Sequence, residues 1–288
     1  MEGTRVRWQG FDMDQWTFSI AAPIRSKTAR PDRIHEGHSK RYRERLRDDL
    51  KSDGRQAATV QQQDIQAAHR IRSELTKQRT AKANQIRGLV AEYGLVAPKE
   101  IAHLRRALPC WLEDTENGLS ERFRLLLNGL WGDLRALDDR MAELDREIAL
   151  IAQSDPVAKR LQQLRGVGPV IATALVAAAG NGEQFANGRQ MSAAFGLTPR
   201  QHSSGGKERL LGISKRGDAY LRSLLIHGAR SVIRTAKGKE DRLSQWITRL
   251  AARRHPNVVT VALANKTTRM AWAMLKNGTD YRPDLVRG

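Results

Sequence analysis

Nine apolar residues, Phe123, Leu127, Leu130, Leu134, Leu137, Met141, Leu144, Ile148 and Ile151, follow one another at alternating steps of four and three. A strand alternates every two residues, so this spacing excludes a strand and requires a helix with one apolar seam. Sustained over four heptads, with Asp, Glu and Arg at the other positions, it predicts a coiled coil or a long helical hairpin. The seam needs a cover. One candidate is the segment from Val60 to Tyr93, where Ile65, Ala68, Ile71, Leu75, Ile86, Leu89 and Val90 recur at roughly helical steps without a proline. The other is a second copy of the chain. The expected arrangement is an antiparallel arm over residues 60–153 that also makes the chain a homo-oligomer.

Punctuation sets the boundaries. Gly94 and Pro98 end the first helix, and a short helix from Lys99 to Leu108 is expected to stop at Pro109. Ser154-Asp155-Pro156 ends the arm. Residues 1–59, broken by Pro23, Pro31, Gly37 and Gly54, are expected to be mostly irregular, with one polar helix over Ser39–Lys51. Residues 154–280 carry further helical periods, the clearest from Asp218 to Ala236, then about 240–253 and 257–276. The fold class expected is mainly α: a long coiled-coil-like arm, then a helical DNA-binding domain with a helix-hairpin-helix.

Charge points to the partner. Among 288 residues, 50 Lys and Arg face 31 Asp and Glu, a net charge of +19. Residues 99–151 carry −3, whereas residues 196–288 carry +13. A basic C-terminal third beside a slightly acidic scaffold predicts a phosphate-binding surface, with DNA as the first candidate. Aromatic residues are only 5%, which argues against a sheet that stacks single-stranded bases. The lone cysteine, Cys110, excludes a disulfide framework and a Cys-rich zinc site. No apolar run approaches the about 20 residues that span a bilayer, and the N-terminus has no signal-peptide core. The chain is expected to be cytoplasmic and nucleoid-associated, with no membrane partner.

Two local patterns carry chemistry. Residues 161–180, LQQLRGVGPVIATALVAAAG, read as helix, Gly-Val-Gly turn, helix, with Pro169 at the first position of the second helix. Backbone N–H groups at Gly166 and Gly168, with Arg165 beside them, suit a phosphate without reading bases. The plain alternative is a turn whose glycines serve packing. Farther on, Ser203 and Ser204 sit in a turn between Arg200 and the cations Lys207, Arg209, Lys215 and Arg216, with Arg222 on the helix that follows. Guanidinium and ammonium groups around a serine would clamp a phosphodiester and stabilise its transition state. The plain alternative is a solvent loop. HExxH, Walker and clustered-histidine patterns are absent, so no cofactor is identifiable.

The segments LRGVGPVIATALVAAAG and AAFGLTPRQHSSGGKERLLGISKRGDAYLRSLLIHGAR, preceded by VQQQDIQAAHRIRSELTKQRTAKANQIRGLVAEYGL, resemble the DEDD-type insertion-sequence transposases, the guide-RNA-directed bridge recombinases. The resemblance covers about residues 60–276. It implies an N-terminal RuvC-like half with four metal-binding carboxylates and a C-terminal half with a nucleophilic serine in a short S-G motif. The matching position is Ser204, before Gly205, with Ser203 as its neighbour. It also implies a guide RNA, and Mg2+ wherever a RuvC-like half is present. The 59 residues before the arm contain no apolar strand ending in Asp, so a truncated or degenerate copy is expected, without a carboxylate assignment. The rival expectation is a non-catalytic DNA- or RNA-binding dimer built on the same domain.

Overall fold

The computed structural model describes residues 59–201 and 210–283. Two helices dominate it, α1 (Val60–Ala91) and α3 (Glu121–Ser154). Thr59 opens α1 with a reciprocal capping box to Gln62, and Ser120 opens α3 by accepting from the Phe123 N–H. Arg72 meets Asp145, Thr76 meets Met141 and Lys82 meets Asp133. Numbers rise on one helix as they fall on the other, so the pair is antiparallel and holds one register along an arm of about 50 Å. Leu127, Leu134, Met141 and Ile148, seven residues apart, are buried, and the alternate row Leu130, Leu137, Leu144 and Ile151 is half-buried. The seam read from the heptads is therefore covered within one chain, by Ile65, Leu75, Ile86 and Val90 among others.

Between them, α2 (Ile101–Glu113) does not stop at Pro109 but runs through it, which corrects the expected end at Leu108. An interior proline costs about 3 kcal/mol. Leu104 and Leu108 offset this: both are fully buried against Ile86, Val90, Leu127 and Leu134 at the far end of the arm, each contributing about 1.5–3 kcal/mol. Arg124 fastens the following loop by donating to the carbonyls of Trp111, Leu112 and Leu119 and to Asn117 Oδ1.

The chain then forms a second core from α4 (Pro156–Leu161), α5 (Pro169–Ala179), α6 (Gly188–Ala194), the antiparallel pair β1 (Pro199–Gln201) and β2 (Leu210–Ile213), α7 (Ala219–Arg234), α8 (Arg242–Ala251) and α9 (Pro256–Asn277). α5 is apolar nearly all round, as a helix must be that packs on α1, α3, α4 and α7 together. Leu161, Leu164, Leu175, Met191, Leu197 and Leu221 are among the best-buried side chains of this second core.

An ordered polar chain runs through the junction between arm and second core. Arg72 donates to Asp145 across the arm. The Tyr220 hydroxyl lies 3.0 Å from His69 Nδ1, and Thr173 Oγ1 lies 3.0 Å from His69 Nε2. Thr173 spends its own proton on the Pro169 carbonyl, so it accepts from Nε2–H, leaving Nδ1 to accept from Tyr220. Burial, then the neighbouring Arg72, push the His69 pKa down to about 4, with Asp145 opposing.

Candidate nucleic-acid interface

The Gly-Val-Gly turn between α4 and α5 is held from three sides. Gly166, at φ +82°, lets the turn press on α7: a Cβ there would stand 2.7 Å from the Gly228 carbonyl oxygen. Gly228 is required in return, because its own Cβ would run into the Gly166 carbonyl. Arg165 donates from Nη1 to both Asp241 oxygens at 2.9 Å and to Ser244 Oγ at 2.8 Å. Slight burial would raise the Asp241 carboxyl, but the Ser244 hydroxyl and N–H and the Arg165 guanidinium hold it below the usual carboxylate range. Gln163 donates to Asp280 and accepts from the Tyr281 N–H. Gly168 caps α5 without a side-chain hydrogen bond, and nothing lies within 4 Å of where its Cβ would be. Neither the Gly166 N–H nor the Gly168 N–H finds an acceptor among the described residues.

Beyond α6 the chain turns into β1 and β2. Sequence reading saw only a basic, turn-rich stretch here, because strands of three and four residues leave no alternation to read. Pro199 pairs with Ile213 and Gln201 with Leu210, so the two serines lie on the connection between antiparallel strands. The base of this hairpin is clamped. Ser214 N–H donates to Thr198 O at 2.8 Å, and Arg222 Nη1 donates to the carbonyls of Phe195 and Arg216. Gly217, at φ +81°, packs where a Cβ would collide with the Ala194 carbonyl. Lys215 beside it has φ +55°, the one non-glycine residue with positive φ among those described. A lysine in that region is uncommon and marks a backbone fixed by its surroundings.

The expected site residues thus fall into groups. Ser203, Ser204, Lys207 and Arg209 lie outside the described residues. Arg200, Lys215 and Arg216 are exposed around the hairpin. Gly168 is open, Gly166 packs against α7, and Arg165 and Arg222 each direct Nη1 at the protein itself. The Asp241 partner of Arg165 lies 76 residues away, a pairing that no local pattern announces. Among the described residues no three His, Cys, Asp or Glu side chains gather as a metal site. The described residues therefore do not supply the four-carboxylate centre that the resemblance implies. No described helix is long and apolar enough to cross a membrane.

Residues 158–244, from α4 through the hairpin and α7 into α8, match the model of the IS116/IS110/IS902 transposase family. A probable family 20 transposase of Pseudomonas aeruginosa is 46% identical over 226 residues, which is 78% of this chain and 67% of that one. The chain belongs to the IS116/IS110/IS902 transposase family. Other relatives agree. The transposase for insertion sequence element IS1111A of Coxiella burnetii is 44% identical over 79% of this chain and 62% of its own. The transposase for IS1328 of Yersinia enterocolitica is 36% identical over 77% of this chain and 66% of its own. The chain spans about two thirds of the length of these family members.

Proposed function

We propose that this family member binds duplex DNA of an insertion sequence and exchanges strands through a serine nucleophile on the β1–β2 connection. The observation that carries the reading is the clamped hairpin base, which presents Arg200, Lys215 and Arg216 to solvent. A nucleophile needs a fixed support and cations at the developing charge, and this base offers both. In the chemical step the Ser204 hydroxyl gives up its proton and forms an O–P bond. One bond from phosphorus to a deoxyribose oxygen breaks, and that oxygen leaves as a hydroxyl. A strand hydroxyl later reverses the exchange and frees the serine. The Gly166 and Gly168 N–H groups hold a backbone phosphate as the turn of a helix-hairpin-helix. The reading places the protein in the cytoplasm on the nucleoid, includes a guide RNA as partner, and assigns no carboxylate or metal ion.

The test is covalent trapping. The full chain is incubated with labelled duplex carrying the element ends and its guide RNA, then denatured. A protein–DNA adduct is expected for the wild type and for Arg70→Ala, an exposed arm variant, but not for Ser204→Ala. Adduct from Ser204→Ala and none from Ser203→Ala would move the nucleophile by one residue. Salt-dependent binding with no adduct from any form would leave the rival reading, a non-catalytic DNA- or RNA-binding dimer.

A further inference from the structure

From Ala219 to Lys239 the chain contains no Asp or Glu, although the whole sequence has 31. That window is α7 and its exit. On its solvent side Ser223, His227, Arg230 and Arg234 follow at steps of four, three and four, so they share one face. All four are exposed, while Leu221, Leu225, Ala229 and Val232 fill the opposite, buried face. Neither arginine pairs with a carboxylate among the described residues. One end of the helix starts at the clamped base of the serine hairpin, with exposed Lys215 and Arg216. Its middle, at Gly228, is where the Gly166 turn is seated.

We infer that the exposed face of α7 is a track for the backbone of double-stranded DNA, running from the base of the serine hairpin, past the seat of the Gly-Val-Gly turn, to Arg234. The inference rests on the duplex-binding reading above and adds residues that it did not assign. The face is a rigid helix with cations and hydroxyl or imidazole donors. It carries no Phe, Tyr or Trp, and the His227 imidazole is its one ring, which fits phosphates of a duplex better than a run of unpaired bases that need stacking. Arg234 sits sixteen residues after Asp218, so the track is about 24 Å long, or about seven nucleotides of one strand.

The experiment is a salt titration of binding to a 30-base-pair mixed-sequence duplex, with an RNA hairpin as a parallel probe. Removing two phosphate contacts in the Arg230→Ala/Arg234→Ala variant should lower the log–log slope by about 1.8 and weaken duplex binding about tenfold or more near physiological salt. Arg230→Lys/Arg234→Lys should retain most of the slope, and Arg70→Ala/Arg140→Ala on the arm should retain all of it. Both arginines are exposed, and an unchanged thermal melt identifies variants that fold. If the wild type shows no salt-dependent duplex binding, the duplex reading itself falls. If it binds and the double variant keeps the full slope, the track alone is overturned. A slope change confined to the RNA probe would also overturn it, by assigning the face to RNA.

Discussion

Two glycines in the same turn separate folding from binding. Gly166 is committed to its contact with α7, while Gly168 faces open space. Gly168→Ala should leave stability within about 0.5 kcal/mol, because its φ of −91° suits any residue, yet it should weaken duplex binding by crowding the free N–H groups. Gly166→Ala should instead destabilise the fold. It forces a positive φ and a collision with the Gly228 carbonyl, at a cost of about 2–4 kcal/mol and a Tm fall of about 5–10 °C. Melting curves and duplex affinities for the two variants check this; matching behaviour in both assays would contradict the division. His69 provides a pH signature. Above its ordinary pKa of 6.5 both states hold a neutral ring; between 6.5 and about 4 the unfolded chain takes a proton that the buried ring refuses. Stability should therefore fall by about 3 kcal/mol as pH falls through that window. Urea denaturation across pH 4–7 should show this component in the wild type and not in His69→Gln. Identical pH dependence in both would remove His69 as the source.

Among the elements, legibility followed the range of the interaction. The 4-3 repeat of α3 was readable because a helix repeats its own geometry, and the buried row Leu127, Leu134, Met141 and Ile148 lies on it. The cap Asp218 was readable in kind, since a short oxygen before a helix satisfies its free N–H groups. Pro109 misled because its local penalty is set against Leu104 and Leu108, whose burial depends on helices elsewhere. The strands beside the serines were too short to show a period. Arg165 looked like a phosphate ligand for the same reason: nothing near it in sequence reveals Asp241. The residues of the α7 face were individually visible, but their role depends on where Gly228 meets Gly166.

At the scale of the molecule, the arm's closure within one chain limits how copies can associate. The buried row is spent internally, so a dimer through the arm is proposed to use the half-buried row of Leu130, Leu137 and Leu144. Sedimentation velocity at micromolar concentration is expected to show a dimer that Leu137→Asp converts to monomer with the thermal melt retained. A monomeric wild type would end the proposal of oligomerisation through the arm. The charge division has a molecular meaning as well: the +13 falls on residues 196–288, the part of the chain that includes the hairpin and α7, where DNA is proposed to lie.

The unbroken register of α1 against α3 also makes the arm a lever. Its fulcrum is the polar chain at His69, and its far end near Val90 lies about 30 Å away along α1. A tilt of roughly ten degrees at the fulcrum moves that end by about 5 Å. Cys110, the sole cysteine of the chain, is exposed there on α2. A dye or spin label on that one thiol turns small rearrangements around the junction into displacements large enough to measure, without adding or removing a cysteine.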